Sequence, residues 1–235
     1  MDRVHTSART PSAESAEVWL DFDGTLTNQD VVDSLVRGFS ATDEWREIED
    51  AWQAGRIGSR ACLVGQFALV RIRDKQLDSF LRSVSLDPGT PRLLDLLEQH
   101  GVPATIVSDG IDWFIDRILR AHGLRPPRIR SNTLVRDGNS WRLGCPHSSL
   151  SCAVAAAHCK CASMEQLGSA ERRRIYVGDG RSDLCAARKA HLRFAKGTLA
   201  ALLDGEALEY IPFSTLHDVC AVLDAAWSRS RARAA

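Results

Sequence analysis

Two aspartates lie two positions apart directly after a hydrophobic run, in the stretch WLDFDGTLT at residues 19–27. Side chains at positions i and i+2 of an extended chain point to the same side, so Asp21 and Asp23 are expected to face one point. Two neighbouring carboxylates titrate as a coupled pair, and both stay ionised only beside a compensating positive charge. The stretch therefore predicts a partner for the pair: a metal ion, a proton or a basic side chain from elsewhere in the chain.

Two further hydrophobic runs end in small or acidic residues beside glycine. Residues 104–107 lead into Ser108, and residues 175–177 lead into a Gly-Asp-Gly sequence that contains Asp179. Short β-prone runs separated by helical patterns are typical of a parallel α/β sheet that is buried on both faces. Functional residues of such sheets gather beyond the carboxyl ends of the strands. We therefore expect Asp21, Ser108 and Asp179 to meet in one crevice.

The segment from residue 30 to residue 86 has a different pattern, because its apolar residues recur at helical spacing. Gly55 and Gly58 indicate a turn between two of its helices. A helical insert directly after the first strand is well placed to cover the crevice as a cap. Three aromatic residues are predicted to form the core of this cap: Trp45, Trp52 and Phe67.

These patterns predict an α/β fold, with a Rossmann-like three-layer parallel-sheet core and a small helical cap inserted after the first strand. The core is expected to comprise residues 17–29 and 87–226. Residues 1–16 lack the apolar segment of a secretory signal and are predicted to be a disordered tail. Residues 227–235 are predicted to be a solvated basic tail.

Composition limits the classes of partner and compartment. The formal net charge of zero gives no electrostatic reason to expect nucleic acid or a membrane surface. The apolar runs are much shorter than the roughly 20 residues that span a bilayer. Seven cysteines, an odd number without an export signal, indicate reduced thiols and a cytoplasmic location.

Residues 132–161 combine a turn signal with a cysteine-rich stretch. The Asp-Gly pair in VRDGNSW, between two β-prone pieces, predicts a hairpin. Zinc is conceivable in the stretch that follows, but the spacing lacks the paired C-x-x-C form of a strong site. Thiols without metal are the favoured interpretation. The residues concerned are Cys145, His147, Cys152, His158, Cys159 and Cys161.

Four stretches, taken in order, resemble the motifs of the haloacid dehalogenase superfamily in its phosphatase branch: DFDGTLT, VSD, Lys160 and GDGRSD. The cap resembles that of the phosphoserine-phosphatase-like members. The stretch GDGRSDLCAARKAHLRFAKGTLAALL, followed by YIPF, is especially similar to the 2-hydroxy-3-keto-5-methylthiopentenyl-1-phosphate phosphatases of methionine salvage. The resemblance implies a Mg²⁺-dependent phosphomonoesterase that acts on a small organic phosphate.

The resemblance also implies the catalytic roles of the aspartates. Asp21 matches the nucleophile that forms an aspartyl-phosphate. Asp23 matches the general acid that protonates the leaving group and then the base that activates water. Asp21 and Asp179 match side-chain ligands of Mg²⁺, and Asp23 contributes its backbone carbonyl. Asp183 is expected to orient a ligand or a bound water from outside the coordination sphere.

Phosphate binding is expected from side-chain hydroxyls, from one ammonium group and from the residues that follow Ser108. The residues that match are Thr25, Ser108, Asp109, Gly110 and Lys160. The resemblance is weakest at Lys160, since the sequence around it is not distinctive. The substitutes would be Lys189 and Lys196.

Two cap residues are candidates for substrate recognition. Asp30 lies where phosphoserine phosphatases carry an acidic residue that meets the substrate's amino group. Arg60 lies where a cap arginine could hold a carboxylate or another polar end. The alternatives are an aspartate that stabilises a helix N-terminus and a surface arginine.

Several functional alternatives remain open at this point. The favoured substrate is a phosphorylated keto or sugar-like metabolite, and phosphoserine or a phosphoamine is the alternative. A dehalogenase would use the same fold, but that branch lacks an aspartate at the position of Asp23. A non-catalytic phosphate- or metal-binding module would not need the full set of four motifs. The sequence leaves the oligomeric state open.

Overall fold

The computed structural model describes residues 10–138 and 140–234. Seven strands of these residues form one sheet: β1 (Ala16–Leu20), β2 (Ala104–Ile111), β3 (Arg128–Asp137), β4 (Ser140–Gly144), β5 (Arg173–Gly178), β6 (Leu192–Ala195) and β7 (Ile211–Pro212). The α-helices are α1 (Val31–Phe39), α2 (Glu44–Gln53), α3 (Ser59–Leu69), α4 (Asp74–Ser83), α5 (Thr90–Gln99), α6 (Asp112–Ala121), α7 (Lys160–Leu167), α8 (Leu184–Lys189), α9 (Gly197–Gly205) and α10 (Leu216–Ala234).

The sheet is parallel except at one edge. The strand order is β4-β3-β2-β1-β5-β6-β7, and only the β3–β4 pair is antiparallel. Strand β1 lies in the middle, with β2 on one side and β5 on the other. Because these three neighbours are parallel, the residues that follow them lie at the same edge of the sheet. The predicted parallel α/β core is confirmed.

Helices cover both faces of the sheet. Val18 and Leu20 of β1 belong to one apolar cluster, with residues of α5, α6 and α10. Trp19, which points the other way, belongs to a second cluster, with residues of α7, α8 and α9. This alternation along a fully buried strand produces the predicted three-layer architecture.

The cap consists of α1 to α4, inserted between β1 and α5. Thr27 and Leu86 form an antiparallel bridge where the chain leaves and re-enters the core. Next to that bridge, the backbone N–H of Asp87 donates to the carbonyl of Leu26 at 2.9 Å. The apolar residues of the cap continue the first core cluster, and Trp45 and Phe67 are buried in it as predicted.

The predicted hairpin is formed by β3 and β4. Asp137 pairs with Ser140 at its end, and Gly138 adopts a positive φ of 59°, which favours glycine in tight hairpin turns. Arg136 of β3 pairs with Asp74 of α4, so the hairpin supports the cap from the side.

In the residues that the structure describes, the bounds of both predicted tails differ from those of the folded elements. Residues 1–9 lie outside those residues, but β1 already begins at Ala16, inside the predicted N-terminal tail. At the other end, α10 continues to Ala234, and Trp227 is only 1% exposed. The indole N–H of Trp227 donates to the carbonyl of Pro11 at 3.0 Å. The side chain of Trp227 therefore packs α10 against the core and contacts the segment that precedes β1.

None of the described helices combines the length and the apolar character that crossing a bilayer requires.

Candidate active site

A buried lysine bridges two buried aspartates at the carboxyl edge of the sheet. Lys160 is the first residue of α7, and its side chain is 1% exposed. Its Nζ lies 2.6 Å from Asp21 Oδ1 and 2.6 Å from Asp183 Oδ1. Asp21 directly follows β1, and its backbone N–H donates to the carbonyl of Val177 in β5. The basic partner required by the first aspartate is therefore supplied from a distant part of the chain.

The carboxylate of Asp183 is saturated by protein donors. Its Oδ1 accepts hydrogen bonds from Lys160 Nζ and from the hydroxyl of Tyr176, both at 2.6 Å. Its Oδ2 accepts from the backbone N–H groups of Asp179 at 3.0 Å and Gly180 at 2.9 Å. Asp183 therefore fixes both the lysine and the loop that carries Asp179.

Asp179 is also held by the loop that follows β1. The hydroxyl of Thr25 donates to Asp179 Oδ1 at 2.6 Å, so this hydroxyl orients a carboxylate in the structure, whereas the sequence predicted a phosphate contact. Gly24 has a φ of +73°, and a Cβ placed there would lie 2.5 Å from Asp179 Oδ2. Both constraints explain the Gly-Thr pair directly after the two aspartates.

The acidic residues fit a hard divalent cation. Asp21, Asp179 and Asp183 offer carboxylate oxygens that all lie within 4.8 Å of one another. Burial, followed by the charge of Asp183, raises the pKa of Asp21 well above its usual value. Burial also raises the pKa of Asp179. One ammonium does not balance three carboxylates, and an oxygen-rich site of this kind suits Mg²⁺.

Asp23 is held between the cap and the second strand. Its Oδ1 accepts from the backbone N–H of Val31 at 2.8 Å, and its Oδ2 accepts from the hydroxyl of Ser108 at 3.4 Å. Burial, and then the charge of Asp30, raise the pKa of Asp23 to about 8. A Cβ at Gly110 would lie 2.9 Å from Asp23 Oδ2, so this close approach requires glycine.

Asp109 contacts protein donors with both of its carboxylate oxygens. Its Oδ1 accepts from the backbone N–H of His158 at 2.7 Å, and its Oδ2 accepts from the hydroxyl of Ser59 at 3.1 Å. Asp109 also lines the cavity, and its predicted contact with phosphate stays a prediction. The ring of His158 joins the carbonyl of Ser108 and the hydroxyl of Ser163, and burial lowers its pKa to about 3, so it is neutral.

A cavity of about 480 Å³ separates these residues from the cap, a size that suits a small metabolite. Asp30 lines it and also caps α1, since its Oδ1 accepts from the N–H of Asp33 at 2.8 Å. Arg60 is exposed and is not among the residues that line the cavity, so the structure does not bring it to the site. The cap side of the cavity is formed by Asp30, Val32, Asp33, Arg37, Glu49, Trp52, Ser59, Cys62, Leu63 and Gln66.

Several of these residues were missed or misassigned from the sequence. Trp52 lines the cavity, whereas it was predicted to belong to the cap core. Glu49 and Gln66 face each other across the cap wall, with Gln66 Nε2 3.0 Å from Glu49 Oε2. A phenol between the buried aliphatic residues Ile175 and Val177 signals a polar partner, and this could have identified Tyr176. Ser59 carries no comparable signal, because helix-initial serines are common.

The two substitute lysines are paired elsewhere. Lys189 pairs with Glu165, and the Nζ of Lys196 lies 3.9 Å from Asp87. The thiols of Cys159 and Cys161, on either side of Lys160, are 3.5 Å apart. In the part of the chain that the structure describes, the aspartates are the only group of three or more His, Cys, Asp or Glu residues whose ligand atoms all lie within 4.8 Å of one another.

The fold and the site together define a phosphatase, and comparisons with known proteins agree. The family model described as "Putative Phosphatase" matches residues 17–194, so the chain belongs to this family. The chain is a phosphoric monoester hydrolase with the fold of the haloacid dehalogenase superfamily.

Curated relatives match most of its length. A 2-hydroxy-3-keto-5-methylthiopentenyl-1-phosphate phosphatase of an Exiguobacterium species is 30% identical, over 89% of this chain and 97% of the relative. An enzyme of the same name from Geobacillus kaustophilus is 28% identical, over 86% and 92%. A substrate-bound phosphoserine phosphatase structure covers 87% of this chain and 96% of its own, with a TM-score of 0.63 and 19% identity. That likeness supports the fold.

We predict that Tyr176→Phe destabilises the protein by about 1.5–3 kcal/mol, because it removes a buried hydrogen bond to a charged group and keeps the ring. The free energy of unfolding would be measured by urea denaturation. Tyr210→Phe is the matched control, since the hydroxyl of Tyr210 makes an exposed bond to Asp204 at 3.2 Å. Equal effects of the two substitutions would contradict the assigned importance of the Tyr176–Asp183 bond.

Proposed function

We propose that the protein is a Mg²⁺-dependent phosphomonoesterase that transfers the phosphoryl group of a small phosphorylated keto or sugar-like metabolite to Asp21 and then to water. The observation that carries this proposal is the position of Lys160 between Asp21 and Asp183, beside a third carboxylate, that of Asp179. The free cysteines of the chain support a reducing, cytoplasmic location.

Asp21 is the nucleophile in this mechanism. Lys160 holds Oδ1, which leaves the other carboxylate oxygen to attack phosphorus as the ester P–O bond breaks. The hydroxyl of Ser108 and the ammonium of Lys160 hold the phosphoryl oxygens. Asp21 and Asp179, with the backbone carbonyl of Asp23, would hold Mg²⁺, which supplies Lewis-acid stabilisation of the charge on the phosphate when bound.

Asp23 acts first as the general acid and then as the general base. Its raised pKa of about 8 keeps it protonated at neutral pH, so it can donate to the leaving oxygen. Once ionised, it removes a proton from the water that attacks the aspartyl-phosphate, which frees Asp21 and releases phosphate. The same group then carries the proton needed for the next cycle.

Two features support the proposed substrate. The two relatives reported above, which match 86–89% of the chain, are named for 2-hydroxy-3-keto-5-methylthiopentenyl-1-phosphate. In addition, Val32, Trp52 and Leu63 give the cap side of the cavity an apolar surface, which suits an uncharged thioether chain.

The second candidate substrate is a phosphoamine, which the excess of negative charge on the cap side of the cavity favours. Three carboxylates line the cap side, those of Asp30, Asp33 and Glu49, against one guanidinium. That guanidinium, of Arg37, is 2.6 Å from Asp33 and is therefore already paired. An ammonium group at the end of the substrate remote from the phosphate would complement this excess of negative charge.

Trapping of the phosphoenzyme tests the proposed chemistry. Asp21→Asn removes the nucleophile, so turnover of p-nitrophenyl phosphate should fall to background and no phosphoprotein should form. Asp23→Asn should lose about 10²–10⁴-fold in turnover and accumulate phosphate on Asp21, as detected by mass spectrometry after rapid quench. EDTA should abolish the activity of the unchanged enzyme, and Mg²⁺ should restore it. Full activity without metal, or phosphate on another residue, would overturn the mechanism.

The substrate is tested by comparing kcat/KM for 2-hydroxy-3-keto-5-methylthiopentenyl-1-phosphate, phosphoserine and phosphoethanolamine. The keto compound should have the highest value. Glu49→Gln should raise KM only for substrates with an ammonium group, because it removes one cavity charge. Glu47→Gln, an exposed position on the same helix, is the control. A preference for a phosphoamine that Glu49→Gln abolishes would establish the second candidate instead.

The dependence of activity on pH tests the role of Asp23 as the general acid. The acid must be protonated to donate, so kcat/KM should fall as pH rises through its pKa. Asp30→Asn removes a charge that raises this pKa, so the alkaline limb of the profile should move to lower pH. Asp50→Asn on the exposed side of α2 should leave the profile unchanged. An unshifted limb in Asp30→Asn would exclude Asp23 as the group that titrates there.

A further inference from the structure

The cap meets the core at the start of α3, in direct backbone contact. A Cβ at Gly58, just before this helix, would lie 2.6 Å from both the Cβ and the carbonyl oxygen of Ala155. The backbone N–H of Arg60 donates to that same carbonyl at 3.2 Å. We call this contact between residues 58–60 of the cap and residues 155–158 of the core the seam. Arg60 contributes its backbone to the seam, and residues 155–158 form the loop that precedes Lys160.

Ser59 makes two hydrogen bonds across this seam. Its hydroxyl donates to Asp109 Oδ2 at 3.1 Å and accepts from the backbone N–H of Ala157 at 3.1 Å. The other oxygen of Asp109 accepts from the N–H of the next residue, His158, at 2.7 Å. Ser59 and Asp109 together thus bind two successive N–H groups just before Lys160.

The lysine depends on this loop for its position. Its ammonium is held within hydrogen-bond distance of two carboxylates, and small displacements of a catalytic group are costly in rate. The core side of the loop is fixed by the His158 ring, which binds Ser108 and Ser163. The cap side is fixed through Ser59. A cap that moves away would remove Ser59 from both Asp109 and Ala157.

We propose that Ser59 and Asp109 are positioning residues through which the cap holds the Lys160 loop in its active arrangement. The consequence is that phosphoryl transfer is fastest when the cap covers the cavity, because the lysine is then correctly placed. This proposal rests on the proposed function, since it requires Lys160 to act on the transferred phosphate. It makes Asp109 a link between the cap and the loop.

Steady-state kinetics with p-nitrophenyl phosphate and Mg²⁺ test the proposal. Ser59→Ala should lower kcat by about 10-fold to 10²-fold, with KM changed by about twofold or less, because the loss is in placement of the lysine. Ser59→Thr keeps the hydroxyl and should restore most of the rate. Ser83→Ala is the control, since the hydroxyl of Ser83 bonds only within α4, to the carbonyl of Phe80.

Ser59 also lines the cavity, so a direct contact with substrate is the competing explanation. A direct contact predicts a higher KM for metabolites that reach the cap and an unchanged kcat for p-nitrophenyl phosphate. That result would overturn the proposal, as would normal kinetics of Ser59→Ala on all substrates.

Hydrogen exchange gives a second measurement that does not depend on activity. The amides of Ala157 and His158 should exchange faster in Ser59→Ala than in the unchanged protein or in Ser83→Ala. Unchanged exchange would show that Ser59 does not hold the loop and would overturn the proposal. An unchanged enzyme without phosphatase activity would instead overturn the proposed function, while the exchange rates would still decide whether the cap and the loop are coupled.

Discussion

The salt-bridged ammonium of Lys160 is the interaction on which the rest of the site depends. Burying an ammonium and two carboxylates costs several kcal/mol for each ion unless their mutual attraction and further hydrogen bonds offset it. Burial lowers the pKa of Lys160, but Asp183 and Asp21 raise it more, so its pKa lies well above the usual value. The lysine is therefore a permanent cation. Because it balances only part of the negative charge of Asp21, Asp179 and Asp183, this donor set also fits the proposed divalent cation.

The sheet explains how four distant stretches meet at this lysine. Asp21 follows β1, Ser108 lies in β2, and Asp179 follows β5, and these three strands are neighbours. Their parallel direction places all three carboxyl ends at one edge. Lys160, the first residue of α7, reaches the same edge of the sheet. The sheet fixes the positions of these residues, because each of the three strands pairs with a neighbour on both sides. A site built from loops alone would lack this support.

The sequence predicted the residues that belong to recognisable motifs and missed those that act through individual contacts outside a motif, such as Ser59 and Tyr176. Asp21 and Asp23 form a motif within three residues, and Asp179 follows a clear β-prone run, so all three positions could be predicted. Trp52 was misassigned because helical spacing identifies an apolar position but does not distinguish the core of a cap from the wall of a cavity. The described part of the predicted C-terminal tail is helical, and its first residue, Trp227, packs against the core. The basic composition of the segment gives no sign of a single buried side chain of this kind.

The insertion point of the cap also affects Asp23, the proposed general acid and base. Val31 is the first residue of α1, and its N–H donates to Asp23 at 2.8 Å. This hydrogen bond stabilises the ionised carboxylate, while burial and the charge of Asp30 stabilise the protonated form. A group that must donate and then accept a proton needs such a balance, since neither form can be too stable. The cap therefore contacts the core on both sides of the phosphate site, at Asp23 through α1 and at Asp109 through α3. One rigid displacement of the cap would remove the contacts of both Asp23, the proposed proton donor, and Asp109, and this arrangement would link the proposed chemistry to enclosure of the substrate.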